Sequence, residues 1–322
     1  MNGPEDVAAW RLFRWNWLLL AGMTATLLAA LALTRFSIEP MSALTPILVI
    51  GAYAAYAYYN FRHPRKRDPF VVFTLGSTGQ MLLIPAVMTP LTYVAASANL
   101  PMQDALLHAV DRALHLDWVA YYNLFYEHHP LLVAAVWSYA LIGCPIFAVP
   151  IALGWTGRYW RLQVFALAFA LALIVTTLVS IFVPAIGTYG LLDVQPDPNV
   201  FTPGGYVAQA QNLPLVRDGT LRELSYRSLV GVVTFPSFHA ASAVLYLWAF
   251  WPVRRLGPIA AAANIMMLLA TPVVGGHYFI DIFAGIAVAI AAIAAATCIA
   301  RRLTGTAAAP LSAPAAVAQP AE

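Results

Sequence analysis

The chain has 322 residues, of which 61% are hydrophobic and only 10% charged, and its mean hydropathy is +0.74. Soluble domains carry about 25% charged residues, so this composition excludes an ordinary soluble domain and predicts an integral membrane protein. Seventeen basic against fourteen acidic residues leave a net charge of +3, too small to mark a nucleic-acid partner.

Taken in chain order, eight segments are apolar over roughly the 20 residues that a bilayer span needs. They are residues 15–33, 43–61, 71–96, 131–153, 164–184, 235–251, 257–274 and 278–300. The first reads as a span and not a signal peptide, because it is long enough to cross and no clean small-residue cleavage site follows it. Pro85, Pro90, Pro145, Pro150 and Pro272 predict kinks that neighbouring helices can absorb. The expected fold is all-α: a polytopic membrane bundle of about eight transmembrane helices. Its expected parts are a three-span N-terminal region (1–99), an extracytoplasmic amphipathic segment (100–130), a catalytic region (131–302) and a disordered tail (303–322).

Lys and Arg are retained in short cytoplasmic loops, so their distribution sets orientation. With the N-terminus inside, the inner face receives Arg11, Arg14, Arg62, Arg65, Lys66, Arg67, Arg158, Arg161, Arg254, Arg255, Arg301 and Arg302. The outer face receives Arg35, Arg112, Arg217, Arg222 and Arg227, a split of 12 against 5. The expected location is therefore an inner (cytoplasmic) membrane with both termini inside.

Two outer segments exceed simple turns. In 100–130, Leu106, Leu107, Val110 and Leu114 recur at helical spacing opposite Asp104, His108, Asp111 and His115, which predicts an amphipathic helix lying on the outer membrane surface. Residues 188–233 form a long loop of the kind that is usually functional or disordered. From Thr304 the chain is Ala/Pro low-complexity sequence, expected to be disordered. Cys144 and Cys298, far apart in apolar segments, read as inert buried thiols because a redox or metal site shows closer pairs.

The chemistry gathers at one predicted face. GGHYFIDIFAG (275–285) places His277 and Asp281 four residues apart inside an apolar stretch, and TFPSFHAASAVLYLWAF (234–250) places Ser237 and His239 at the outer start of another span. Ionisable groups at membrane depth are costly and face partners or a polar cavity. Spacing i, i+4 puts Asp281 beside His277 on one side of a helix. A carboxylate there fixes the imidazole tautomer and stabilises its cation, the arrangement of an activated nucleophile. His239 is the candidate general acid. Pro236 in a first helical turn, with exposed N–H groups and the Ser237 hydroxyl, makes a phosphate cradle. These parts fit phosphoryl transfer through a phosphohistidine. A rival is a metal held by His239, His277 and Asp281 as a two-histidine, one-carboxylate set, which would not need the cradle.

FPSFHAA and GGHYFIDIFAG resemble the second and third signature motifs of the type 2 phosphatidic acid phosphatase (PAP2) superfamily. The form resembles the inositol phosphorylceramide synthase-like branch, in which these motifs read Phe-Pro-Ser-x-His-Ala and His-Tyr-x-x-Asp. The likeness spans about residues 131–302. It implies a six-helix PAP2-type core with an extracytoplasmic active site, in which His277 is the nucleophile, Asp281 its partner, His239 the proton donor and Ser237 a phosphate ligand, with no metal and no cofactor. It also implies a lipid phosphate or phosphodiester substrate and, for a transferase, an alcohol acceptor.

The superfamily's first motif, a lysine, then six residues, then Arg-Pro, is missing. The only lysine is Lys66, assigned to the inner side, and the position after the fifth span reads VPAIGTYG (183–190). A cation should still meet the phosphate. Arg217, Arg222 and Arg227 are on the correct side, and Arg227, ten residues before Ser237, is preferred; Tyr189 is a further candidate hydrogen-bond donor. Against the enzyme stand two other readings. A transporter would spread its ionisable groups through the membrane depth, and an inactive structural subunit would fit the missing first motif.

Overall fold

The structure, a computed structural model, describes residues 4–63 and 68–305. Arg65, Lys66 and Arg67 of the expected basic inner loop, and residues 306–322 of the expected disordered tail, lie outside the described residues. The chain begins with α1 (Pro4–Leu33), a two-residue strand β1 (Ser37–Ile38), α2 (Pro40–Arg62) and α3 (Pro69–Ala96). Pro40 and Pro69 open their helices at positions where no N–H is needed. Asp68 caps α3 by accepting from the Phe70 N–H at 2.9 Å. Then come α4 (Asp104–Ala113), α5 (Trp118–Glu127), α6 (His129–Ala140), a 3-10 turn (Leu141–Gly143), α7 (Pro145–Trp155) and α8 (Tyr159–Phe182). The chain continues through α9 (Thr188–Leu192), α10 (Gly204–Asp218), β2 (Glu223–Leu224), α11 (Phe238–Phe250), α12 (Gly257–Val274) and α13 (Phe279–Thr304). The protein is a polytopic all-α bundle.

Six described helices, α1, α2, α3, α8, α12 and α13, are long and apolar enough to cross a membrane. All eight segments expected as spans are helical, but two fall short of a straight crossing. The fourth breaks into α6 and α7, bent by 68°, where the 3-10 turn meets Pro145, whose ring and missing N–H prevent the helix from continuing straight. The sixth is α11, only 13 residues long. Ser237 caps its start, and it ends just before Trp251-Pro252, since Pro disfavours helical geometry in the residue before it.

α11 packs against α7, α8, α12 and α13, and Ala240, Ala241, Ala243, Leu245, Tyr246 and Ala249 are fully buried. The N-terminal helices join the same bundle: α1 packs on α3, α8 and α13, and α3 on α7 and α8. Buried amides pin this contact. Asn16 Nδ2 donates to the Gln163 carbonyl (2.9 Å) and to its Oε1 (3.1 Å), Gln163 Nε2 donates to Ser77 Oγ (2.7 Å), and Gln80 Nε2 donates to the Phe13 carbonyl (3.1 Å). Such interhelical hydrogen bonds join helices where the surrounding medium supplies no hydrophobic drive. Contrary to expectation, Cys144 and Cys298 are exposed on the outside of the bundle as free thiols.

The amphipathic helix α4 also differs from expectation. Its carboxylates face inward: Asp104 and Asp111 are buried with Leu107, while Leu106 and Leu114 are exposed. Positions 104, 107 and 111 share one helical stripe, and that stripe docks on the loop after α8 and the start of α13.

Candidate active site

α12 ends at Val274 and α13 begins at Phe279, so His277 stands in the link and not within a helix. The link turns at Gly276, whose φ of +68° favours glycine. Tyr278 caps α13 and Asp281 is its third residue, completing a capping box: Asp281 Oδ2 accepts the Tyr278 N–H at 2.9 Å. The same oxygen accepts from His277 Nδ1 at 3.1 Å. The i, i+4 pairing expected across a helical turn is therefore made across a helix cap. A carboxylate at this distance favours the tautomer with the proton on Nδ1, which leaves the Nε2 lone pair free.

His277 Nε2 lies 3.4 Å from Ser237 Oγ. Ser237, fully buried, is the N-cap of α11 and its Oγ accepts from the Ala240 N–H at 3.4 Å, so its hydroxyl proton is free to point at Nε2. Pro236, expected in the first turn, precedes the cap by one residue. The Ser237 N–H donates to the Asp281 carbonyl at 3.1 Å, which ties the two motif segments together through the main chain.

Gly285 makes this approach possible. A Cβ on it would lie 2.3 Å from the Ser237 carbonyl oxygen and 3.0 Å from Ala240 Cβ. Gly285→Ala is expected to force α11 and α13 apart, at a cost of about 2–3 kcal/mol and with loss of the Ser237–His277 contact. A thermal melt in detergent alongside turnover checks this; a melt unchanged from wild type would contradict it.

His239, the second residue of α11, stacks on Tyr139 with ring centroids 3.8 Å apart and planes 8° from parallel. His239 and His277 line one cavity of about 430 Å³ together with Tyr139, Gln209 and Thr92. Its remaining wall is mostly apolar and includes Pro85, Ile142, Leu173 and Phe238. Thus α3, from the N-terminal region, walls the site. No cluster of three His, Cys, Asp or Glu side chains among the described residues has the geometry to hold a metal ion.

The predicted phosphate ligands outside the motifs are not brought here. Arg227 is exposed and does not border the cavity. Its segment is held against α2 and α3 by Ser225 Oγ donating to Glu39 Oε2 (2.6 Å) and Tyr226 OH to the Ala86 carbonyl (2.6 Å). Arg217 donates to the Leu100 carbonyl, and Arg222 to the Val216 and Leu221 carbonyls while covering the Phe36 ring. Tyr189 is buried and its hydroxyl donates to the Val273 carbonyl at 2.7 Å. It supports the back of the link, touching where a Gly276 Cβ would stand.

Two carboxylates on the polar face of the amphipathic helix α4 hold the site instead. Asp111 accepts the Phe279 and Ile280 N–H groups at 2.7 and 2.9 Å, meeting free donors at the amino end of α13. Burial pushes its carboxyl above the usual range, with those two N–H groups opposing the rise. Asp104 accepts from the Ile186 and Gly187 N–H groups at 3.0 and 2.9 Å and from Tyr278 OH at 2.9 Å, joining the loop after α8 to the His277 link. The sequence signal was their spacing of seven, which places both on one helical stripe with Leu107. Asp111→Ala should destabilise the fold by about 2–3 kcal/mol, the cost of a lost cap and stranded buried donors. Asp117→Ala, which removes an exposed cap, should cost about 1 kcal/mol or less. Thermal melts of the two variants check the contrast, and equal losses would contradict it.

The fold and site define a polytopic helical membrane protein whose histidines and carboxylate meet at the end of the bundle. A family model for the PAP2 superfamily matches residues 105–295, more than half of the chain, and the chain belongs to that superfamily. The match begins within α4, so the helix that clamps the site is part of the family unit. No curated protein and no solved structure matches the chain. Membership carries a general phosphatase or phosphotransferase activity.

Proposed function

We propose that the protein acts on a lipid phosphate or phosphodiester through a phosphohistidine on His277, at the extracytoplasmic face of an inner membrane with both termini inside. The observation that carries this is the line Asp281–His277–Ser237, whose central His277 borders the cavity that His239 also lines.

In the first step His277 Nε2 attacks phosphorus, a P–N bond forms, and the P–O bond to the leaving group breaks as His239 gives that oxygen its proton. The Nδ1–H remains with Asp281, whose charge stabilises the imidazolium. Ser237 turns its hydroxyl from Nε2 to a phosphate oxygen. In the second step neutral His239 takes a proton from the incoming hydroxyl, whose oxygen displaces Nε2. If water attacks, a lipid phosphate donor yields inorganic phosphate and a phosphodiester donor yields a phosphomonoester, and the protein is a phosphatase; if an alcohol attacks, it is a transferase.

The Phe-Pro-Ser-x-His-Ala and His-Tyr-x-x-Asp forms and the degraded first motif favour the inositol phosphorylceramide synthase-like branch, and with it the transferase. The apolar cavity wall suits a lipid substrate, and the 12-to-5 distribution of basic residues supports the orientation.

The test is release of inorganic phosphate from a panel of lipid phosphates by purified protein in detergent with EDTA. Chelator-resistant release supports the phosphatase. Silence there, with phosphoryl transfer from phosphodiester donors to alcohol acceptors, selects the transferase. Silence in both assays from folded protein would overturn the proposal.

A further inference from the structure

The missing first motif leaves a question of what holds the phosphate, because no lysine or arginine is among the described residues lining the cavity. Tyr139 offers an answer that the motifs do not contain. Its side chain is nine-tenths buried at 9% exposure and borders the cavity with both histidines. Its hydroxyl has no hydrogen-bond partner among the described residues, whereas those of Tyr121, Tyr189, Tyr226, Tyr246 and Tyr278 each donate to an oxygen. The ring is buried but the hydroxyl oxygen itself is open to the cavity, so a partner for it would come from the cavity side.

Two glycines locate this hydroxyl. A Cβ on Gly275 would lie 2.6 Å from Tyr139 Oη and 2.6 Å from His277 Cδ2, the ring carbon next to Nε2. At most twice that distance separates the hydroxyl from the ring. A Cβ on Gly205, in the first turn of the 15-residue helix α10, would lie 3.4 Å from the same hydroxyl. The hydroxyl thus stands between the attacking edge of His277 and the amino end of a helix, a region that favours negative charge. The stack of His239 on the Tyr139 ring holds the general acid beside the same hydroxyl-bearing side chain.

We propose that Tyr139 is a catalytic residue that donates its hydroxyl hydrogen bond to a phosphate oxygen, in place of part of the absent cationic clamp. The proposal rests on the phosphoryl-transfer reading of the site. The hydroxyl is left unpaired by the protein because its partner arrives with the substrate. The small residues at 205 and 275 keep that space open.

Tyr139→Phe separates this role from a structural one. It keeps the ring, the stack on His239 and the packing, and removes a hydroxyl that bonds to nothing in the protein, so the thermal midpoint should not fall. Turnover of the best lipid-phosphate or phosphodiester donor and binding of orthovanadate, a phosphate mimic, are measured on wild type and variant in detergent. The expected result is a loss of about 100-fold in kcat/KM, the size of a lost donor to developing phosphate charge. Vanadate affinity should weaken at least ~10-fold, with an unchanged melt. A variant equal to wild type in turnover and vanadate affinity overturns the proposal, as does a loss matched by a lower melt. Wild type that turns over no donor yet binds vanadate defeats the reaction assigned above, and the vanadate comparison then decides Tyr139 alone. Wild type that turns over no donor and binds no vanadate overturns both, and wild type that turns over a donor without binding vanadate leaves the kcat/KM comparison to decide Tyr139.

Discussion

Replacing His277 with alanine is expected to reduce turnover by ~10⁴-fold or more, the range seen when a nucleophile or its base is removed from a catalytic unit. Nothing else near the cavity can take over. Ser237 is buried, its Oγ accepts from the Ala240 N–H, and without His277 no base stands beside its hydroxyl. His239 is a second imidazole, but it stacks flat on Tyr139 and no carboxylate is seen to orient it. The fold should tolerate the change, because His277 lies in a link whose path is set by other contacts. The Gly276 carbonyl accepts from the Thr188 N–H at 2.9 Å, and Asp281 still caps Tyr278. Turnover and thermal melting measured together check this. Residual activity above about one-hundredth of wild type would mean that another group attacks phosphorus.

Asp281→Asn is the next largest effect. The carboxylate does two things with one oxygen: it accepts from His277 Nδ1 and from the Tyr278 N–H. An amide keeps the shape, but with its NH₂ group at the Oδ2 position it donates to Nδ1, gives up the cap, moves the ring proton to Nε2 and blocks attack. It also removes the charge that stabilises the imidazolium. The matching change in serine-protease triads costs ~10⁴-fold in kcat with geometry intact. A loss of ~10³-fold or more in kcat is expected here. A variant within tenfold of wild type would show that Asp281 serves the cap alone.

Much of this site was legible because its chemistry is local. His277 with Asp281 and Ser237 with His239 are short-range patterns, and an apolar background makes each ionisable residue conspicuous. Even so, the reason that His277 and Asp281 meet was misread: spacing alone does not distinguish a helical turn from a capping box, and the break at Gly275-Gly276 decides for the box. The role of α4 was hidden because the partners of Asp104 and Asp111 lie at 186–187 and 278–280. A polar stripe reads as solvent-facing until the donors that meet it are known. The arginines of the long loop were equally ambiguous, since proximity in sequence to the FPSFH segment says nothing of the carbonyls that occupy Arg217 and Arg222. Tyr139 lies a hundred positions from its stacking partner, in a segment that carries no motif. The bend between α6 and α7 was foreshadowed by Pro145. The short α11 follows from Pro252, two residues past the end of the helix.

The central claim is covalent: phosphorus becomes bonded to His277 Nε2. The most direct measurement is rapid quenching of wild type during turnover into alkali, where phosphohistidine survives, followed by peptide mass spectrometry. The account predicts a phosphoryl adduct on the peptide carrying His277, formed no slower than product and absent from His277→Ala. Turnover with no adduct on any time scale faster than product release, or an adduct on a different side chain, would contradict it.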